Sequence, residues 1–144
     1  EGLSSPNDSD YSSATANGQV NYLLLQNMPG DFDTATGVSV TLRAQRNGKA
    51  NAAITVQIVK SDESTALSDT QQVGSIGAGF ANYDFNSLSV TGDTDKTSWD
   101  GARIKLTAGN GNPQVSAVEV YVDYNAVGGG VGRAVYHFRR RRAA

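Results

Sequence analysis

Between residues 38 and 45 the chain alternates without a fault. Val38, Val40, Leu42 and Ala44 fall on one side, and Ser39, Thr41, Arg43 and Gln45 on the other. Successive side chains of an extended strand point to opposite faces, so this order builds one apolar and one solvated face and does not fit the period of a helix. The same two-residue period returns at Ile54, Val56 and Ile58, at Ile104 and Leu106, and at Val118, Val120, Val122 and Tyr124. Half-apolar strands must lay those faces against one another to bury them. The pattern therefore predicts a core of Val40, Leu42, Ile54, Val56, Ile58, Ile104, Leu106, Val118, Val120 and Val122.

Turn residues divide the remainder. A first strand at residues 20–26 is closed by Pro29-Gly30, which cannot continue a ladder. Asn47-Gly48 is the strongest short-range signal for a tight hairpin, because such turns need positive φ, and it predicts that 38–45 pairs with 52–60. A polar segment at 61–68 leads to a weaker strand near 70–73 and a glycine-marked turn. In 80–90 the parity changes, with Tyr83 and Phe85 on one face and Leu88 and Val90 on the other, which predicts a bulge or bend. Residues 95–100 suit one helical turn carrying Trp99. Strands at 102–108 and 115–124, separated by Gly109-Asn110-Gly111-Asn112-Pro113, read as another hairpin. Seven or eight such strands with no amphipathic helix predict an all-β, two-sheet antiparallel β-sandwich. A jelly roll is the first topology. An immunoglobulin-like sandwich, whose Cys, Trp, Cys marker is missing, is the second.

The 144 residues suit one core. Residues 1–19 read as an N-terminal arm, 20–125 as the sandwich, and 126–144 as a Gly-rich linker and Arg-rich C-terminal tail outside the core. Glu1 stands at the start and Met28 is the only methionine, so the expected N-terminus is a processed or cut one. No apolar run approaches the roughly 20 residues of a membrane-spanning helix, and membrane insertion is not expected.

The inventory for chemistry is thin. The chain has no cysteine, which excludes disulfides, thiolate metal sites and thiol nucleophiles. The single histidine, His137, lies in the tail, where a triad would lack a rigid frame. No pair of carboxylates is singled out for glycoside hydrolysis. The pairs Asp8/Asp10, Asp31/Asp33 and Asp93/Asp95 could give a hard cation some oxygen ligands, yet Asp is also a common turn residue because it bonds nearby amides. Trp99 and the tyrosines could form a sugar-stacking platform, but a lone Trp before a strand suits a core. The expectation is a non-enzymatic protein without a cofactor.

The tail carries the sharpest local feature. Residues 1–132 hold all 14 acids and 7 bases, a balance of −7, whereas residues 133–144 hold Arg133 and Arg139 to Arg142 and no acid, a balance of +5. Val135, Tyr136 and Phe138 could supply an apolar anchor, and Arg139, Arg140, Arg141 and Arg142 could pair with an acidic neighbour. These seven residues are the expected partner-binding set, with a second copy of the chain as the simplest partner. Nucleic acid is disfavoured, since no wider basic patch or interleaved aromatic stack accompanies the run.

The strand at 20–26, the loop Pro29-Gly30-Asp31, the segment 38–60, Ser98-Trp99-Asp100-Gly101-Ala102-Arg103-Ile104-Lys105-Leu106-Thr107-Ala108 and the closing valine-rich stretch 115–124 together resemble small β-sandwich structural proteins of tailed bacteriophages. The resemblance covers about residues 20–125, and the glycine-rich segment and arginine tail lie outside it. It implies a virion protein of decoration, head-fibre or tail-associated type, located in the extracellular particle, whose partners are other virion proteins and copies of itself. A host-surface glycan is a further partner under this reading, and a carbohydrate-binding or adhesin module is the competing class, because a fold does not fix a function.

Overall fold

The computed structural model describes residues 12–13, 18–47, 52–109 and 113–139, with Ser12, Ser13 and Arg139 described through their backbone alone. The elements run β1 (Ser12–Ser13), β2 (Val20–Leu24), β3 (Phe32–Gln45), β4 (Ala52–Val59), β5 (Gln71–Ile76), β6 (Ala81–Leu88), α1 (Lys96–Trp99), β7 (Arg103–Ala108), β8 (Gln114–Ala126) and β9 (Val131–Arg139).

The pairing identifies the topology. β1 pairs with β8, β2 with β7, β3 with β6 and β4 with β5, all antiparallel, as if one long ribbon had been folded back on itself. Winding that ribbon brings β3 against β8 and β4 against β7. The result is one sheet ordered β1-β8-β3-β6 and another ordered β2-β7-β4-β5. This is the jelly roll, an eight-stranded double sheet made of Greek keys. A ninth strand, β9, adds to β8.

The ten alternating residues expected inside are all buried in one cluster between the sheets, joined by Leu25, Phe32, Leu67, Trp99 and Tyr124 among others. The expected helical turn is α1, capped by Asp95, whose carboxylate accepts from Ser98 N–H at 3.1 Å. Trp99 is fully buried, and its Nε1 donates to the Asp93 carbonyl at 2.8 Å. The parity change in β6 is a bulge. Val40 pairs with Phe85 but Val38 with Leu88, and Ser87 takes φ 77°, so Leu88 returns to the inward face beside Phe85.

Three expectations differ from the structure. Strands β3 and β4 do not form a hairpin, because β3 lies in one sheet and β4 in the other. Nor do β7 and β8 pair, for the same reason. An Asn-Gly or Gly-rich link fixes a reversal of direction, but two strands with complete apolar faces can meet face to face as well as edge to edge. The third difference is the C-terminal segment. The boundary at 125/126 falls inside β8, and residues 131–139 are a strand of the sandwich whose Ala134 and Tyr136 belong to the core cluster.

Candidate functional site: the C-terminal hairpin

The hairpin of β8 and β9 turns through Val127, Gly128, Gly129 and Gly130. The three glycines take φ values of 84°, 102° and 86°, a left-handed backbone that L side chains resist. The glycine run thus forms a tight turn in place of the expected open linker. Ala126 N–H donates to Gly130 C=O at 3.0 Å, Gly129 N–H to Ala126 C=O at 3.1 Å, and Val127 N–H to Asp31 C=O at 2.8 Å, which ties the turn to the start of β3.

From the turn onward β9 alternates. Ala134, Tyr136 and Phe138 face inward, opposite Val122, Val120 and Val118. Tyr136 is buried, and its hydroxyl donates to the Asn27 carbonyl and to Met28 Sδ, each at 3.4 Å. Burial pushes the phenol up to about 12, with the Asp100 and Tyr124 charges adding to the shift. Phe138 is partly buried against the same core. Gly132 leaves room for the ring of Tyr124, whose hydroxyl donates to Asp31 Oδ1 at 2.9 Å and is raised above the ordinary phenol range chiefly by that bond.

The outward face carries a ladder of charge. Arg133 Nε donates to Asp123 Oδ1 at 2.6 Å and Nη2 to Oδ2 at 3.3 Å, and the guanidinium sits 5.2 Å from the centroid of Tyr121. The Asp123 carboxylate raises the Arg133 pKa above its ordinary value. Glu119 is nearly enclosed, at 8% exposure. Its Oε1 accepts from the Tyr121 hydroxyl and its Oε2 lies 2.7 Å from His137 Nδ1. A bidentate Arg–carboxylate pair and a shielded carboxylate both favour one register of β9 on β8.

The seven residues expected to bind a partner therefore divide. Tyr136 and Phe138 are taken up by the chain's own core, which corrects their reading as an anchor for another polypeptide: their period-two apolar face meets β8 before any neighbour. Val135 points outward and is 42% exposed. Arg139 pairs through its backbone with Ala117, and Arg140, Arg141 and Arg142 lie outside the described residues. The residues missed were Glu119, Tyr121, Asp123 and Gly132. The alternation of 131–138 was readable as a strand, but the glycine run before it masked the signal.

The other polar cluster surrounds α1. Lys60 Nζ meets Asp93 Oδ2 at 2.5 Å, Lys96 meets Asp100 at 2.8 Å, and Arg103 pairs with Glu63. Lys60 is thereby held above its ordinary pKa, and Asp95 below its own, the latter chiefly by hydrogen bonds from Ser98. Of the three aspartate pairs, Asp93 and Asp95 serve as ion-pair partner and helix cap, Asp31 accepts from Tyr124, and Asp8 and Asp10 lie outside the described residues. Among the described residues no group of three or more His, Asp or Glu stands together as a metal site, and no helix is long and apolar enough to cross a membrane. Comparison of the chain with protein-family models, with curated proteins and with solved structures finds no match.

Proposed function

We propose that this chain is a non-enzymatic structural subunit of a virion, of decoration, head-fibre or tail-associated type, which assembles with copies of itself or neighbouring virion proteins through its C-terminal hairpin. The jelly roll is used by viral capsid and lectin domains alike, so the fold supports more than one role. The observation that carries the assembly reading is where exposed apolar surface collects. Of the four large hydrophobic side chains exposed among the described residues, Val127, Val131 and Val135 sit on one hairpin, and only Leu24 sits elsewhere. Apolar side chains gathered at a sheet edge mark a contact surface. The sugar-binding alternative loses Trp99 as a stacking residue, because that ring is fully buried, and keeps only partly exposed tyrosines such as Tyr22, Tyr83 and Tyr121.

Sedimentation of the purified chain over a range of concentrations tests the reading, alongside a glycan array. A defined oligomer without glycan binding is the expected result. A monomer at every concentration that binds one glycan class would move the chain to the carbohydrate-binding class.

A further inference from the structure

The larger sheet ends on β9, and among the described residues β9 pairs with β8 alone. The turn tells which of its backbone groups face outward. Ala126 N–H donates to Gly130 C=O, and hydrogen-bonded pairs alternate along an antiparallel ladder. The pairs 124/132, 122/134, 120/136 and 118/138 therefore exchange bonds with β8. The N–H and C=O groups of Val131, Arg133, Val135, His137 and Arg139 point away from it, along the open edge.

Exposed edges are normally guarded by brevity, proline, bulges or free charge. β9 has nine residues, no proline and no register shift against β8. Arg133 and His137 are each held by a carboxylate of their own sheet, Asp123 and Glu119, which weakens the charge guard. Val135 stands on the outward face between them, and Val131, 84% exposed, stands on the same face before Arg133.

We propose that β9 pairs antiparallel with β9 of a second copy, about a two-fold axis at Val135, joining the two larger sheets into one. The inference rests on the assembly reading and names its contact. The sequence of β9 selects the axis. With Val135 opposite itself, Ala134 faces the second copy's Tyr136, so that this large ring meets a small residue, and Gly132, already covered by Tyr124 of its own copy, faces the second copy's Phe138. Arg133 stands opposite His137, both already paired to carboxylates. An axis at Arg133 would set two guanidiniums together. One at Tyr136 or His137 would set ring against ring, and one at Ala134 would carry Phe138 past the end of the strand.

Cysteine scanning tests the axis, because the chain has no thiol of its own. Across a hydrogen-bonded antiparallel pair the Cα atoms lie about 5.5 Å apart, within disulfide reach. Val135→Cys should cross-link into a dimer under mild oxidation. Val131→Cys should not, since the two 131 positions would stand on the order of 27 Å apart, eight residues at roughly 3.4 Å each. Val135→Pro removes an N–H that faces away from β8, and edge strands tolerate proline there. It should keep the circular-dichroism spectrum and weaken self-association at least tenfold. If it unfolds, Val135→Lys, which sets two ammonium groups on the axis, should show the same loss. Equal cross-linking of both cysteine variants, or none for Val135→Cys in a chain that still self-associates, overturns the β9 pairing while the assembly reading stands. A chain that neither cross-links nor self-associates overturns both.

Discussion

The ring of Tyr124 on β8 lies across the Cα of Gly132 on β9, so close that a Cβ at position 132 would collide with its Cζ and hydroxyl oxygen. The same ring stands 5.0 Å from that of Phe32, and its hydroxyl is tied to Asp31. One aromatic side chain thereby joins β3, β8 and β9, and it can do so only because its cross-strand neighbour has no side chain. Covering a strand glycine with a neighbouring aromatic is a known way to pin register.

Gly132→Ala should therefore destabilise the fold by about 1–3 kcal/mol, the usual range for overpacking. The cost should shrink in a Tyr124→Leu background, where the ring that blocks the methyl is gone. Chemical denaturation of the two single variants and the double variant measures the coupling. Additive effects would show that the collision is relieved elsewhere.

The two faces of β9 should differ sharply in their worth. Tyr136→Ala removes a buried ring and should cost about 3–5 kcal/mol, whereas Arg133→Ala breaks an exposed ion pair and should cost under about 1 kcal/mol. The phenol gives a second readout. Its folded pKa lies above the unfolded value, so its stabilising contribution is complete below about pH 10 and is lost as pH rises toward about 12. In Tyr136→Phe the alkaline fall in melting temperature should be smaller than in the parent chain.

Ser68, fully buried, accepts the Ile58 N–H at 2.9 Å and donates to the Asp69 carbonyl at 2.9 Å. Ser68→Ala leaves the Ile58 donor without that acceptor inside the protein. A loss of about 1–3 kcal/mol is expected, seen as a lower denaturation midpoint with an unchanged slope.

Asp62 closes the turn after β4 by accepting from Ser64 N–H at 2.9 Å and Thr65 N–H at 2.8 Å, and hydrogen bonds from Thr65 and Ser64 hold its carboxyl down to about 2. A carboxyl depressed on folding stabilises above its unfolded pKa, near 3.8, and that contribution drains away as pH falls toward 2. Asp62→Asn should flatten the stability profile across that acid window and leave its shape at neutral pH unchanged. Melting temperatures of the two proteins across the window decide the matter.

How much was written in the sequence depends on the range of the interaction. The inward faces of β3, β4, β7 and β8 were legible residue by residue, because alternation of side chains is a property of the strand itself. So were the helical turn around Trp99 and the bulge in β6, each announced by a local break in pattern. The first six residues of β3 were not. Register shifts at Phe32/Thr34 and Ala35/Gly37 interrupt the alternation that would have declared them.

What only the tertiary structure decided is which strands share an edge. Strands β3 and β4 follow one another in the chain, as do β7 and β8, but whether such strands pair or cross the core depends on which other strands claim their edges: β8 and β6 for β3, and β7 and β5 for β4. The C-terminal segment is the sharpest case. Three glycines in a row serve an open tether or a turn equally well, and it is the edge of β8, with Val118, Val120, Val122 and Tyr124 already facing the core, that draws residues 131–139 into the sheet. By itself the sequence determined the faces of the strands. The edges, the outer edge of β9 among them, arise only once long-range burial has placed each face against another.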